Sequence, residues 1–143
     1  MAEHLTADEA AERILPVDAI GMPLGPGQPP AFIEALGRRT DWEDLRINGA
    51  LLTVLSDLFT HPNVHYLSGF YGPLERLLRD SGANIGFAPA DFRRFLPLLT
   101  ALAPRVMVTA GALPDADGDV SLSLHAGANV AEMRRPRPTP TGC

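Results

Sequence analysis

The stretch from Ala19 to Leu36, Ala-Ile-Gly-Met-Pro-Leu-Gly-Pro-Gly-Gln-Pro-Pro-Ala-Phe-Ile-Glu-Ala-Leu, constrains the fold more than any other. A short apolar run enters a loop of glycines and prolines, and that loop feeds a segment with helical spacing. The order read is strand, tight loop, helix. Gly25 and Gly27 open backbone angles closed to other residues, and the first turn of the following helix offers unpaired N–H groups to an anionic or carbonyl-bearing guest. A Gly-Pro-Gly loop serves equally as a rigid connection, and these residues alone do not choose between cradle and connection.

The same rhythm recurs along the chain. Thr6-Ala-Asp-Glu9 has the form of a capping box and predicts a helix from Ala7 to Arg13, ended by Pro16. Val17 to Gly21 reads as a buried strand. A helix then opens at Pro29 or Pro30, with Phe32, Ile33 and Leu36 on its apolar face and a Glu34 to Arg38 pair on the other. Leu45 to Ala50 reads as a second strand, and Leu51, Val54, Leu55 and Leu58 keep helical spacing up to His61. Val64 to Leu67 is a third strand. Ser68-Gly-Phe-Tyr-Gly72 leads into a helix opened by Pro73, with Leu74, Leu77 and Leu78 inward and Gly82 as its stop.

Asn84 to Ala88 and Arg105 to Thr109 read as strands four and five, around a helical stretch from Phe92 to Leu102 that is interrupted or restarted at Pro97. Val120 to Leu124 is a sixth strand candidate, and a helix start falls near Asn129 to Met133. The pattern predicts an α/β fold with a largely parallel sheet flanked by helices over residues 1–133, followed by an extended Pro-rich tail over 134–143. In such sheets ligands gather where strand ends meet helix starts, which places the Gly25 and Gly69 loops at candidate sites.

Composition narrows the partners. The 143 residues are 45% hydrophobic and 20% charged, ordinary for one globular domain, and no apolar run approaches membrane-spanning length. A net charge of −5 gives no basic field for a nucleic-acid backbone. The opening residues are acidic where a leader would be basic, and the single cysteine, Cys143, permits no internal disulfide, so the expected compartment is the cytoplasm.

Familiar catalytic and metal patterns fail on inspection. Asp115-Ala-Asp-Gly-Asp119 imitates a calcium loop, but Gly118 falls too early and Ala126 stands where the closing glutamate belongs, so it reads as a solvated turn. His61 and His65 are separated by Pro62 and Asn63, so no helix presents both to a zinc ion. His125 reads either as a ligand contact at a strand end or as a satisfied structural histidine. Ser68, Ser121 and Ser123 lack a nucleophile elbow, since Tyr66 stands where it needs glycine. Pro30 replaces the third glycine of a dinucleotide loop. No metal site is expected.

With these residues in hand, the chain resembles the N-terminal half of the acetyl-CoA hydrolase/transferase family, related to 4-hydroxybutyrate CoA-transferase. The likeness rests on Pro23-Leu-Gly-Pro-Gly-Gln-Pro29, Phe59-Thr-His-Pro62 with Tyr66-Leu-Ser-Gly-Phe70, Phe87-Ala-Pro-Ala-Asp-Phe92, and Pro114-Asp-Ala-Asp-Gly-Asp-Val-Ser-Leu122 before His125-Ala-Gly127. It spans roughly Ile14 to Met133. The resemblance implies a CoA-transferase-like fold with the active site between two similar halves, no permanently bound cofactor, and coenzyme A thioesters and carboxylates as substrates. It implies a glutamate that attacks the thioester, giving an acyl anhydride and then an enzyme-bound CoA thioester. It further implies that Gly25, Gly27, Gln28, Pro29, Ser68, Gly69 and Phe70 line the acyl-CoA cleft. The family's catalytic glutamate belongs to the second half, and Glu34, Glu75 and Glu132 do not stand in its place. No catalytic residue is therefore assigned; the chain by itself is expected to be inactive and to pair with a second half or with itself. The other expectation is a non-catalytic binding or assembly module that keeps the fold.

Overall fold

The computed structural model describes residues 3–122 and 129–134. Its elements run α1 (Ala7–Glu12), β1 (Val17–Leu24), α2 (Pro30–Gly37), β2 (Asp44–Ala50), β3 (Val64–Ser68), α3 (Pro73–Asp80), β4 (Ile85–Phe87), α4 (Phe92–Leu102), β5 (Val106–Met107) and α5 (Asn129–Arg134), with 3-10 turns at Gly25–Gly27 and Asp57–Thr60. All strand pairs are parallel, in the order β4-β3-β2-β1-β5. This is the expected α/β architecture.

The chain lays down β1 to β4 in one direction and then returns to place β5 on the other side of β1. Right-handed crossovers therefore put α2 and α3 on one face and α4 on the other, and the direction reverses between β1 and β5. Ile20, Ile47 and Tyr66 lie in register across β1, β2 and β3, and each is at most 1% exposed. This row packs into a core with Ile33 and Leu36 of α2, Leu58, Phe59 and Leu78. The ring of Phe59 meets Tyr66 edge-on at 5.3 Å. Thr6 caps α1 through the expected box, with Glu9 reaching back to Thr6 N at 2.7 Å.

Several expectations fail for identifiable reasons. Leu51 to Leu58 is not a helix: Leu51 has φ 47, the chain stays irregular to Ser56, and only Asp57–Thr60 forms a 3-10 turn. The N–H groups of Leu51, Leu52 and Thr53 are donated to Phe70 O, Glu75 Oε1 and Gln28 Oε1, distant partners that hold the segment in its irregular conformation. Leu77 is 56% exposed rather than inward. Arg38 pairs with Asp8 of α1 instead of Glu34. β1 runs on to Leu24 through Gly21 and Pro23, with a break in register that absorbs them.

Strands four and five shrink to Ile85–Phe87 and Val106–Met107. α4 passes through Pro97 without a break, because both Pro97 and Arg93, whose carbonyl loses its partner, face solvent. No strand forms over Val120 to Leu122; this segment is tied back by a bond from Ala112 N to Ser121 O. The solvated aspartate turn is present, with Asp115 Oδ1 accepting from Asp117 N and Asp119 N. Arg134, expected to begin the extended tail, closes α5 instead; Ser123, Leu124, His125 and the rest of the tail, residues 135–143 with Cys143, lie outside the described residues.

Candidate functional site

Three loops meet at the carboxyl edge of the sheet: Gly25–Pro29 after β1, Leu51–Leu55 after β2, and Ser68–Gly72 after β3. Gly25 takes φ +46, which turns the chain directly into the 3-10 turn. Gly27 O accepts from Ala110 N at 2.8 Å, so the loop is pinned to the segment leaving β5, at the point where strand order reverses. Pro29 stands at the N-cap position of α2 without a side-chain bond to it, and Pro30 opens the helix.

Gln28 is 3% exposed and works as a cross-brace. Its Nε2 donates to Ala50 O at 3.1 Å and Leu51 O at 3.3 Å, and its Oε1 accepts from Thr53 N at 3.0 Å. The Thr53 hydroxyl lies within reach of both Gly25 O and Gln28 Oε1. An amide suits this place because it can donate to carbonyls on one side and accept from an N–H on the other.

The Ser68 group engages the same middle loop from the opposite flank. Gly69 N donates to Gly49 O at 2.8 Å, and Leu51 N donates to Phe70 O at 2.9 Å. A Cβ at Gly69 would lie 2.6 Å from the Phe95 ring, which explains the glycine. Ser68 Oγ sits 2.6 Å from Phe70 O and 3.0 Å from Glu75 Oε1. Glu75, from the first turn of α3, is fully buried; its Oε1 accepts from Leu52 N at 2.7 Å and its Oε2 from Gly72 N at 3.0 Å. Beneath them the Tyr66 hydroxyl is buried with no hydrogen-bond partner among the described residues. Burial, reinforced by the Glu75 carboxylate, pushes its pKa upward.

The seven expected site residues thus reach one edge but form two groups, Gly25 to Pro29 and Ser68 to Phe70, on either side of Leu51. The leucine side chain spans the gap: its Cδ2 would lie 3.7 Å from a Cβ at Gly25 and its Cδ1 2.7 Å from one at Gly72. Gln28 and Ser68 are turned inward as braces, while Phe70, 38% exposed, lines a cleft of about 450 Å³ with Tyr71 and Phe87. Sequence reasoning missed Leu51 to Thr53 and Glu75. The apolar spacing of the first imitated a helix; the second was visible as a glutamate three residues after Gly72, the reciprocal half of a capping box.

At the opposite end of β1, Asp18 is 8% exposed and fastens the short β5 strand. Burial raises its pKa, but hydrogen bonds from Arg105, Leu15 N and Ala19 N outweigh burial and hold it below the ordinary range. No group of three or more metal-ligating side chains occurs among the described residues, and none of the described helices is long and apolar enough to cross a membrane.

No protein-family model matches the chain. No curated protein matches it either. Among solved structures it is similar to RipA from Yersinia pestis, with TM-score 0.69 and 21% identity over 82% of this chain and 31% of that one. Two structures of RipA mutants superpose with TM-score 0.73 at 24% identity, again over 82% of this chain. The chain spans about a third of the length of these structures. Identity at this level establishes a shared fold, and the chain is thus an α/β domain built like that part of RipA.

Proposed function

We propose that the chain is the N-terminal half of an acyl-CoA hydrolase or CoA-transferase, acting in the cytoplasm, and that Gly25 to Pro29 forms one wall of the acyl-CoA cleft. The supporting observation is the glycine loop at the point of strand reversal between β1 and β5, with its backbone fixed by Gln28 and by the Gly27 to Ala110 bond. The buried carboxylates among the described residues, Asp18 and Glu75, are both held in hydrogen bonds, so neither is free to attack a thioester. In this reading the nucleophilic glutamate comes from a second half. Its attack on the thioester carbon forms the acyl anhydride and releases CoA thiolate, which then displaces the acyl carboxylate to give the enzyme-bound CoA thioester.

A non-catalytic binding or assembly module draws support from a different observation. Gln28, Ser68 and Glu75 spend their polar atoms on bracing the loops, as a scaffold with no turnover to perform would. Acetate release from acetyl-CoA in the presence of a carboxylate acceptor, which hydrolysis and CoA transfer both produce, separates the two. The chain alone gives none above background in either reading. Mixing it with a CoA-transferase C-terminal half carrying the glutamate restores release in the first reading and leaves it at background in the second. Release by the chain alone contradicts both.

A further inference from the structure

A second feature of the same edge lies beyond the Gly25 loop. Between the ends of β3 and β4, Phe70, Tyr71 and Phe87 wall a cleft of about 450 Å³ whose mouth carries Asp91 and Arg94 of the α4 start. That volume falls within the span of small-molecule sites, roughly 300–1,000 Å³. Phe87 is 50% exposed and Phe70 38%, an exposure of large aromatic surface that folding alone does not require. Tyr71 packs edge-on against Phe87 at 5.5 Å, which fixes the wall, and its buried hydroxyl has no partner among the described residues.

The charges at the mouth are unequal in their commitments. Asp91 Oδ1 accepts from both Arg93 N and Arg94 N, so these two amides of the helix start are already taken. Asp91 keeps its second oxygen as an acceptor, while the exposed Arg94 guanidinium makes no ion pair among the described residues. A ligand matching this set has a flat π-face for the aromatic wall, an amino group for Asp91 and a negative charge for Arg94.

We propose that this cleft binds an adenine nucleotide, either free or as the nucleotide end of a coenzyme A thioester; the second form rests on the acyl-CoA reading above, and the first does not. The base lies against Phe87 and Phe70, its exocyclic amine donates to Asp91, and a phosphate pairs with Arg94. A pyrimidine nucleotide covers less of the wall and binds more weakly.

Calorimetric titration of the full chain tests this with adenosine 3′,5′-bisphosphate, ADP and UDP as probes, and with acetyl-pantetheine, a thioester that carries no nucleotide. At least one adenine nucleotide is expected to bind, at least tenfold tighter than UDP. Phe87→Ala and Arg94→Gln should each weaken it by about tenfold or more, with unchanged circular dichroism. Preference for adenosine 3′,5′-bisphosphate over ADP identifies the coenzyme A source, and the reverse preference the free nucleotide. Absence of adenine-nucleotide binding at millimolar concentration, or binding untouched by Arg94→Gln, overturns the proposal. Acetyl-pantetheine, titrated into the chain mixed with a CoA-transferase C-terminal half, reports separately on the acyl site: its failure to bind there while the nucleotides bind the chain removes the acyl-CoA reading and leaves this one standing.

Discussion

Leu52 N donates to Glu75 Oε1 at 2.7 Å across 23 residues of sequence, joining the loop after β2 to the first turn of α3. The same carboxylate accepts from Gly72 N and lies within reach of the Ser68 hydroxyl. Glu75→Ala strands two buried N–H groups and should cost about 3–5 kcal/mol by chemical denaturation, since each unsatisfied buried donor costs about 1–3 kcal/mol. Glu75→Gln keeps one acceptor but turns an amide NH2 toward one of the two N–H groups, and should cost about half as much. Equal stability in all three proteins would show that the carboxylate is not the brace.

Leu51 and Gly72 form the second link at this edge. A Cβ at Gly72 would stand 2.7 Å from Leu51 Cδ1 and 3.0 Å from Glu75 Oε2. Gly72→Ala therefore displaces the leucine whose backbone, at φ 47, is already in a region unfavourable to side chains. The expected loss is about 1–3 kcal/mol. Leu51→Ala in the same background should recover part of it, because the clash is with the leucine methyl group.

The Tyr66 hydroxyl gives a prediction of opposite sign. A buried hydroxyl without a partner is a cost, so Tyr66→Phe should hold or raise stability near neutral pH by up to about 1 kcal/mol. Its folded pKa is raised by burial and by Glu75, so the stability it is linked to is intact below the ordinary tyrosine value of about 10. Above that pH the unfolded chain ionises while the folded one resists, and stability falls. Melting curves at pH about 8 and about 11 should show a smaller alkaline loss in the Phe variant. A drop in its stability at the lower pH would mean that the hydroxyl is partnered.

Asp18 and Arg105 govern the acid side. The folded pKa of Asp18 is lowered, so its contribution is present above the ordinary aspartate value of about 3.9 and is lost as pH falls through the folded value. Asp18→Asn should be less stable than the native chain at neutral pH and should lose less on acidification to about pH 2. Urea midpoints at the two pH values check this. An identical acid loss in both proteins would place the titration on other carboxylates.

Most of the strand and helix order was legible because β1, β3 and β4 are flanked by glycine, proline or asparagine and α2, α3 and α4 open on a proline or an aspartate cap, at Pro30, Pro73 and Asp91. Local signals of that kind survive folding. Leu51 to Thr53 was not legible, because its conformation is set by Phe70, Glu75 and Gln28, residues 19 to 25 positions away whose polar atoms take its N–H groups. Apolar spacing cannot register such partners. Gln28 and Ser68 were correctly placed at the carboxyl edge, but which way each side chain turns depends on neighbouring strands, and both turn inward. Arg38 shows the same limit: its helical neighbour Glu34 was the local choice, and Asp8 from another helix is the partner.

The proposed wall of an acyl-thioester site at Gly25 to Pro29 is open to amide chemical-shift mapping. On titration of acetyl-pantetheine into the labelled chain mixed with an unlabelled CoA-transferase C-terminal half, shifts are expected to concentrate at Gly25, Gly27, Gln28 and Leu51 to Thr53, with the Asp18 end of the sheet unchanged. Shifts confined to that opposite end, or none at saturating ligand, would contradict it.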